Sequence, residues 1–533
     1  MSRRLYSLAA AVSVSVVIAA AIASSADGPQ APTPSGSSSA SAADVAARVD
    51  RVMQEAWIEA GVGPLGPDDS LTVARRLSLA LCGTIPSLEE VRAMEKLPDA
   101  ERADAHLERL LADRRFADYL AERFARAFVG TDNGPFIIYR RRRFVYWLSD
   151  ELAKNRPYDE LVREMIGSQG LWTDQPATNF VTAHFIPDQG PDPAAMAART
   201  TRAFLGIRID CAQCHDHPFA EWKQGDFEGL AAYFGQVQNS LTGVVDKPGE
   251  FEVEDIRTKE KRSVAPRVPF SADSANDEGR RREQLAAWIT SPSNPYFAKA
   301  IANRVWTLMF GQGIVEPVDD LEAEPRVDGV LDVLADDFRS NGHDLRRLIR
   351  VIAATRAFRA GSAATGGREV SEVQEKLFAA FPLSRLRSEQ IAGALVQASS
   401  LRTVDAESHI LVRFFRAVNT GDFVSRYGDA GEEELNAHIG TIPQRLVMMN
   451  GQMPRERIEA SPLNAAGRIA TLAPNDESRV DVAYLVCMSR RPTAEEKAHF
   501  VSRLDGLKGD NRNDAVEDML WALVNSTEFS WNH

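Results

Sequence analysis

The chain has 533 residues, of which 44% are hydrophobic and 26% charged, the composition of a soluble globular protein with enough length for two to four domains. Its 62 basic and 75 acidic side chains leave a net charge of −13, which excludes a general nucleic-acid binder, since that needs a basic face to displace counterions. Four cysteines in 533 residues exclude a disulfide-built scaffold.

Arg3 and Arg4 open the chain and are followed by an uncharged run from Leu5 to Ala26 rich in Ala, Val, Ile and Leu. A basic start, an apolar middle and small residues at Ala21, Ala23, Ser24 and Ala26 are the layout of a secretory signal over residues 1–26. The run just reaches the roughly 20 residues that span a bilayer, so an uncleaved N-terminal anchor is the rival reading. Either way the expected location is exported: periplasm, cell envelope or secreted, with contact to a membrane only through that anchor. Residues 27–43, mostly Pro, Ser, Gly and Ala, read as a flexible linker.

From residue 44 to about 240 the pattern is helical. Leu107, Leu110, Leu111, Tyr119, Leu120, Phe124 and Phe128 recur mostly at three- and four-residue spacing and form one apolar stripe. Ser87 and Glu90 are spaced as a capping box at a helix start. Residues 241–277 change character: Phe251-Glu252-Val253-Glu254 alternates, and prolines punctuate the run from Val264 to Phe270. This predicts an extended linker or a small β insert. Residues 278–533 are helical again, with a stripe at Leu345, Leu348, Ile349 and Ile352, a helix stop at Gly311 and a capping box at Thr493 and Glu496. The fold class expected is mainly α: two helical domains joined by a short extended or β-containing segment.

One motif carries chemistry. Cys211-Ala212-Gln213-Cys214-His215 is a C-x-x-C-H sequence, expected by chance at roughly 5 × 10⁻⁴ copies in such a composition. Two thiols three residues apart can each form a thioether with one vinyl group of a haem, and the adjacent His then supplies a proximal nitrogen to the iron. Haem c on Cys211, Cys214 and His215 is the first reading. A second places zinc or another transition metal on Cys211, Cys214 and either His215 or His217. A third makes the two cysteines a structural disulfide or inert thiols. Phe219, Trp222, Phe227, Tyr233 and Phe234 follow the motif and either wall a cofactor or serve as ordinary core. A sixth iron ligand is not legible among Met196, Met309, Met448, Met449, Met453 and His184, most Met being core fillers.

Weaker features surround it. Arg140 to Arg143 precede an apolar helical run, where four cations oppose the helix dipole and invite an anion such as a haem propionate; a solvated face is the plainer reading. Glu316, Asp319, Asp320, Glu322 and Glu324 read as a solvated acidic turn, since no regular calcium-loop spacing is present. Cys82 and Cys487 sit in apolar settings and read as buried thiols. Phosphate-loop, zinc-protease and nucleophile-elbow motifs are absent from the sequence.

These blocks together resemble a known pair of domains. Phe204-Leu205-Gly206-Ile207 leading into Cys211 to Phe219, then Trp222 to Asp226 and Leu230 to Phe234, resembles the planctomycete cytochrome-c-like domain of unknown function, the PSCyt type. Arg75-Arg76-Leu77, Gly83 to Ser87 and Asn155 to Asp159 look like its earlier blocks. Asn294 to Phe297, Asn303 to Trp306, Phe310 to Asp320 and Arg385 to Ile391 resemble its partner domain, the PSD type. The resemblance covers about residues 45–533. It implies a secreted protein with a c-type haem and no established reaction. Ser425-Arg426-Tyr427-Gly428-Asp429 stands where many partner domains carry cysteine, so the resemblance implies no second metal or redox centre there. The function expected is an exported haem protein for electron transfer or haem-based redox, with an unidentified redox partner or envelope protein. The alternative is a non-haem cell-envelope protein that uses a Cys/His metal site structurally and binds a polymer or partner protein.

Overall fold

Local signals in the chain start most of the helices. Ser41 accepts from the Asp44 amide and Asp44 returns the bond, closing a capping box on the Ala42–Glu59 helix. Asp69 caps Ser70–Cys82 through the Leu71 amide. The Ser87/Glu90 and Thr493/Glu496 boxes start Leu88–Met94 and Ala494–Leu504, as their spacing predicts. The computed structural model describes residues 40–132, 139–186, 189–216, 222–254, 259–270, 279–363, 369–405, 423–427 and 442–533. The leader expected over 1–26 therefore lies outside the described residues, as do His217 and Phe219. Among those described, 24 α-helices stand against four two-stranded antiparallel ladders, so the fold is mainly α. No described helix is long and apolar enough to cross a membrane.

The apolar stripe from Leu107 to Phe128 does not lie on one helix. Asp113 takes an extended backbone (φ −80°, ψ 140°), ends the Asp99–Ala112 helix and caps Arg114–Val129 by accepting from the Arg115 amide. A short acidic side chain that can bond its own backbone competes with the helix here and breaks the stripe in two. The helix Phe297–Phe310 stops at Gly311 in the left-handed region (φ 77°), the predicted stop.

Between the helices, two hairpins occupy 237–264. Val237 to Ser240 pair with Asp246 to Gly243, and Phe251 to Glu254 pair with Val264 to Lys261. The fully buried Arg282 clamps the first hairpin, placing Nε and Nη2 each 2.8 Å from the Asp246 carboxylate. Its remaining donors reach the Ile166 and Ser168 carbonyls.

Two hydrophobic clusters hold the described chain. The first runs from Val45 to Phe381 and includes the ring cluster of Trp306, Phe310, Phe358, Phe378 and Phe381. The second joins Leu71, Ala74, Leu79, Leu88, Val91 and Met94 to residues between Leu386 and Phe529. The Ser70–Cys82 helix belongs to both, with Val73, Leu77 and Leu81 facing the first. Every one of its residues is buried. Its two arginines stay charged there, their pKa lowered by burial only to about 10. Arg75 donates to the Cys487 and Phe529 carbonyls. Arg76 donates to Phe358, Ala360 and His533 carbonyls and pairs with Asp68 at 2.5 Å. Buried charges persist only with such partners, although the buried Arg75 Nε has none.

Candidate functional site

The C-x-x-C-H motif is presented by the end of a helix. Pro193–Thr200, capped by Asp192, widens into a single π-turn over Thr201–Leu205 and halts at Gly206. Gly206 has φ 61°, and a Cβ there would lie 3.0 Å from Leu321 Cγ, so the position takes glycine on both counts. The Gly206 carbonyl accepts from the Leu321 amide at 2.7 Å. Ile207 and Ile209 are buried in the first cluster and fix the short irregular segment that leads into the motif.

Asp210–Gln213 then forms one 3₁₀ turn. Ala212 points inward and is fully buried, while Cys211, Gln213, Cys214 and His215 face solvent. Both thiols are free. The His215 Nδ1 lies 2.7 Å from the Asp216 carbonyl oxygen. A carbonyl only accepts, so in the neutral ring Nδ1 carries the hydrogen and Nε2 keeps its lone pair. The Asp216 carboxylate accepts from the Gln224 amide and ties the loop to the Gln224–Ala231 helix. The sequence therefore brings two accessible thiols and a bare imidazole nitrogen onto one exposed turn whose inner side is anchored. His217, the alternative metal ligand, lies outside the described residues. Among those described, no three His, Cys, Asp or Glu side chains converge as a metal site.

The aromatic residues after the motif are core. Phe227, Tyr233 and Phe234 are buried in the first cluster. Trp222 is buried with them and donates its indole N–H to both Glu322 oxygens at 2.8 and 2.9 Å. It meets Phe270 edge-on, and Phe270 packs on Trp288 and Tyr296.

The acidic stretch is only in part a solvated turn: Glu322 and Glu324 are exposed, whereas Glu316 and Asp319 are half-buried in ion pairs. Asp319 pairs with Arg208 at 2.6 Å, and Glu316 pairs with Arg326 at 2.6 Å and accepts from the Gly313 amide. Arg202 pairs with Asp210 at 2.7 Å, at the first residue of the 3₁₀ turn. Asp319 and Glu322 thus brace the motif from over 100 residues downstream. Sequence reading missed them because only an acidic run marks them, and such a run usually faces water.

The other candidates fall elsewhere. Arg141 makes a two-pronged pair with Glu122 and donates to the Gly130 carbonyl, Arg142 reaches the Tyr146 hydroxyl, and Arg143 reaches the Thr173 carbonyl. The anion that the Arg141 end of this helix meets is an internal carboxylate. Met196 and Met309 are buried in the first cluster, Met448 and Met453 in the second, and Met449 is exposed. His184 is half-buried, with its enclosed Nε2 lacking a hydrogen bond, and desolvation together with Arg199 pushes its pKa down to about 3. Cys82 and Cys487 are both buried and neither is in a disulfide.

Residues 48–239 match the family PSCyt2, a protein of unknown function (DUF1549), and residues 281–417 match PSD1, a protein of unknown function (DUF1553). The chain thus matches the two domains in tandem. Neither the curated proteins nor the solved structures contain a match to it. The C-x-x-C-H turn lies in the PSCyt2 match, and its braces Asp319 and Glu322 lie in the PSD1 match. The tandem order therefore has a physical consequence: the second domain's segment fixes the first domain's motif.

Proposed function

We propose that this tandem protein is an exported c-type haem protein, in which Cys211 and Cys214 would attach haem c through thioethers and His215 would supply a nitrogen to the iron. The observation that carries the reading is the presentation of the motif: two free, exposed thiols beside an imidazole whose Nδ1 is tied to a carbonyl, leaving Nε2 to bind iron. When bound, haem supplies one-electron redox chemistry. The chain's own part is to hold it. Ile209 and Ala212 anchor the turn from below, Asp210 and Asp216 fix its two ends, and the Arg208–Asp319 pair and the Trp222–Glu322 bonds keep the flanks in register. Export supports the reading, because thioether attachment takes place outside the cytoplasm, where thiols would otherwise oxidise. The leader at residues 1–26 supports export.

The test is expression in a host with periplasmic haem-attachment machinery. The mature chain should begin between about Ser24 and Gly28 or stay membrane-bound intact. It should keep a haem-dependent peroxidase stain on a denaturing gel and gain the mass of one haem. Cys211→Ser should weaken attachment, the Cys211→Ser/Cys214→Ser double variant should abolish it, and His215→Ala should keep a thioether while shifting the visible spectrum. A colourless product of unmodified mass, from a host that matures a control cytochrome, would overturn the proposal. If that product also released a metal to chelator and lost stability with it, the structural metal site with His217 would replace it.

A further inference from the structure

One cleft among the described residues is far from the cysteine motif in sequence and joins the segment around Asp68–Thr72 to the segment around Arg490–His533. It has a volume of about 980 Å³. Small-molecule sites span roughly 300–1,000 Å³, so this one has room for more than one ring. One wall is the loop and first turn of the Ser70–Cys82 helix, from Asp68 to Thr72. The other is the Arg490–Thr493 turn and the Thr527–His533 segment, where Arg385↔Trp531 and Ser384↔Asn532 form a short ladder that also brings in Leu383.

The chemistry of the walls is specific. Each guanidinium that lines the cleft already meets a carboxylate. Arg490 is held by Glu528 at 2.6 and 2.7 Å and by Glu496 at 2.9 Å. Arg491 meets Glu95 at 2.6 Å, and Arg102 meets Asp99 at 2.8 Å. Asp68 is taken by the buried Arg76, and Asp69 caps a helix. The His533 ring is 6% exposed. Burial and the nearby Arg75 push its pKa down to about 4, so it is uncharged at neutral pH. The cleft thus displays many hydrogen-bonding groups in rigid arrays but little net charge to select an ion. Each paired carboxylate keeps spare lone pairs, and Thr72, Thr493 and Thr527 add hydroxyls. Beside these lie the indole of Trp531 and the apolar Leu71 and Leu383.

A planar aromatic face next to fixed, charge-compensated arrays suits a molecule with one apolar C–H face and a rim of hydroxyls. We propose that this cleft binds an uncharged, polyhydroxylated ligand: a neutral glycan unit or short oligosaccharide. An anionic sugar would find each lining guanidinium already paired with a carboxylate, and Asp69, the lining carboxylate held by a backbone amide rather than a cation, already accepts from Leu71. The proposal is independent of the haem reading, because none of Cys211, Cys214 or His215 lines the cleft.

The test uses the full mature chain, since two segments distant in sequence build the site. A printed array should carry neutral α- and β-glucan, xylan, mannan and N-acetylglucosamine oligomers beside sulfated and uronate-containing ones. Saturable binding to at least one neutral oligomer is expected, with the charged ones weaker. Titration of that oligomer in solution should show Trp531→Ala and Arg491→Ala each weakening it by at least about tenfold. The Arg491 side chain is 56% exposed, so its variant should melt like the parent and decides the matter if Trp531→Ala does not fold. Binding to no neutral glycan, a preference for charged glycans, or an Arg491→Ala variant that binds like the parent would each overturn the proposal.

Discussion

Three imidazoles held below their ordinary pKa, His106, His184 and His533, shape how the protein responds to acid. His106 bonds to Ser78 Oγ at 2.7 Å, and burial, opposed by Glu90 and helped by Arg109 and Arg115, pushes its pKa down to about 4. His184 is pushed to about 3. All three are neutral when folded, against an ordinary value of 6.5. The unfolded chain therefore takes up more protons below pH 6.5, so their stabilisation is complete above that value and is lost as pH falls toward 4. Urea midpoints should fall between pH 7 and pH 5, and His184→Phe should flatten that slope. An unchanged slope would show that His184 does not titrate as described. At the opposite extreme, Arg76 serves three carbonyls and a carboxylate from a position with no exposure. Arg76→Met should cost about 3–5 kcal/mol in denaturant unfolding, because it strands buried acceptors. The exposed His215 should cost less than about 0.5 kcal/mol when changed to Ala in the haem-free chain.

Helix packing depends on close backbone approach at one point. The Ser388–Ala398 helix lies against the C-cap of Ser70–Cys82, and a Cβ on Gly393 would sit 2.2 Å from the Gly83 carbonyl oxygen. Gly393→Ala must push the two helices apart and should cost about 1–3 kcal/mol, measured by thermal or denaturant melting. Wild-type stability in that variant would mean that the helices have room to separate. A different cost applies inside the ring cluster. Phe310 contacts Trp306, Phe358, Phe378 and Phe381, so Phe310→Ala leaves a cavity with four aromatic walls and should cost about 3–5 kcal/mol.

For the described chain from Ser41 onward, the two clusters cross the 241–277 segment. Leu71, Ala74, Leu88 and Val91 share one hydrophobic cluster with residues from Leu386 to Phe529. A fragment of 44–240 would expose its part of that cluster, and a fragment of 278–533 would lack its partner. Each should bind a hydrophobic dye and melt without cooperativity, whereas co-expression of the two should recover a soluble complex. Two separately cooperative fragments would show that the shared clusters contribute little.

The capping boxes at Ser87 and Thr493, the stop at Gly311, the stripe from Leu345 to Ile352 and the mainly α class were all legible in the sequence, because each rests on neighbours within a turn or two. So was the C-x-x-C-H motif, whose spacing is local. The break at Asp113 was not, since the apolar spacing runs through it and only the backbone shows which hydrogen bond won. Nor could the sequence show that Arg141 meets Glu122, that Glu322 holds Trp222, or that Asp68 and Trp531 border one cleft. Those pairings join residues from 19 to more than 400 positions apart. Charge and polarity declare that such side chains need partners; only the tertiary fold, by choosing which apolar faces meet, decides who the partners are.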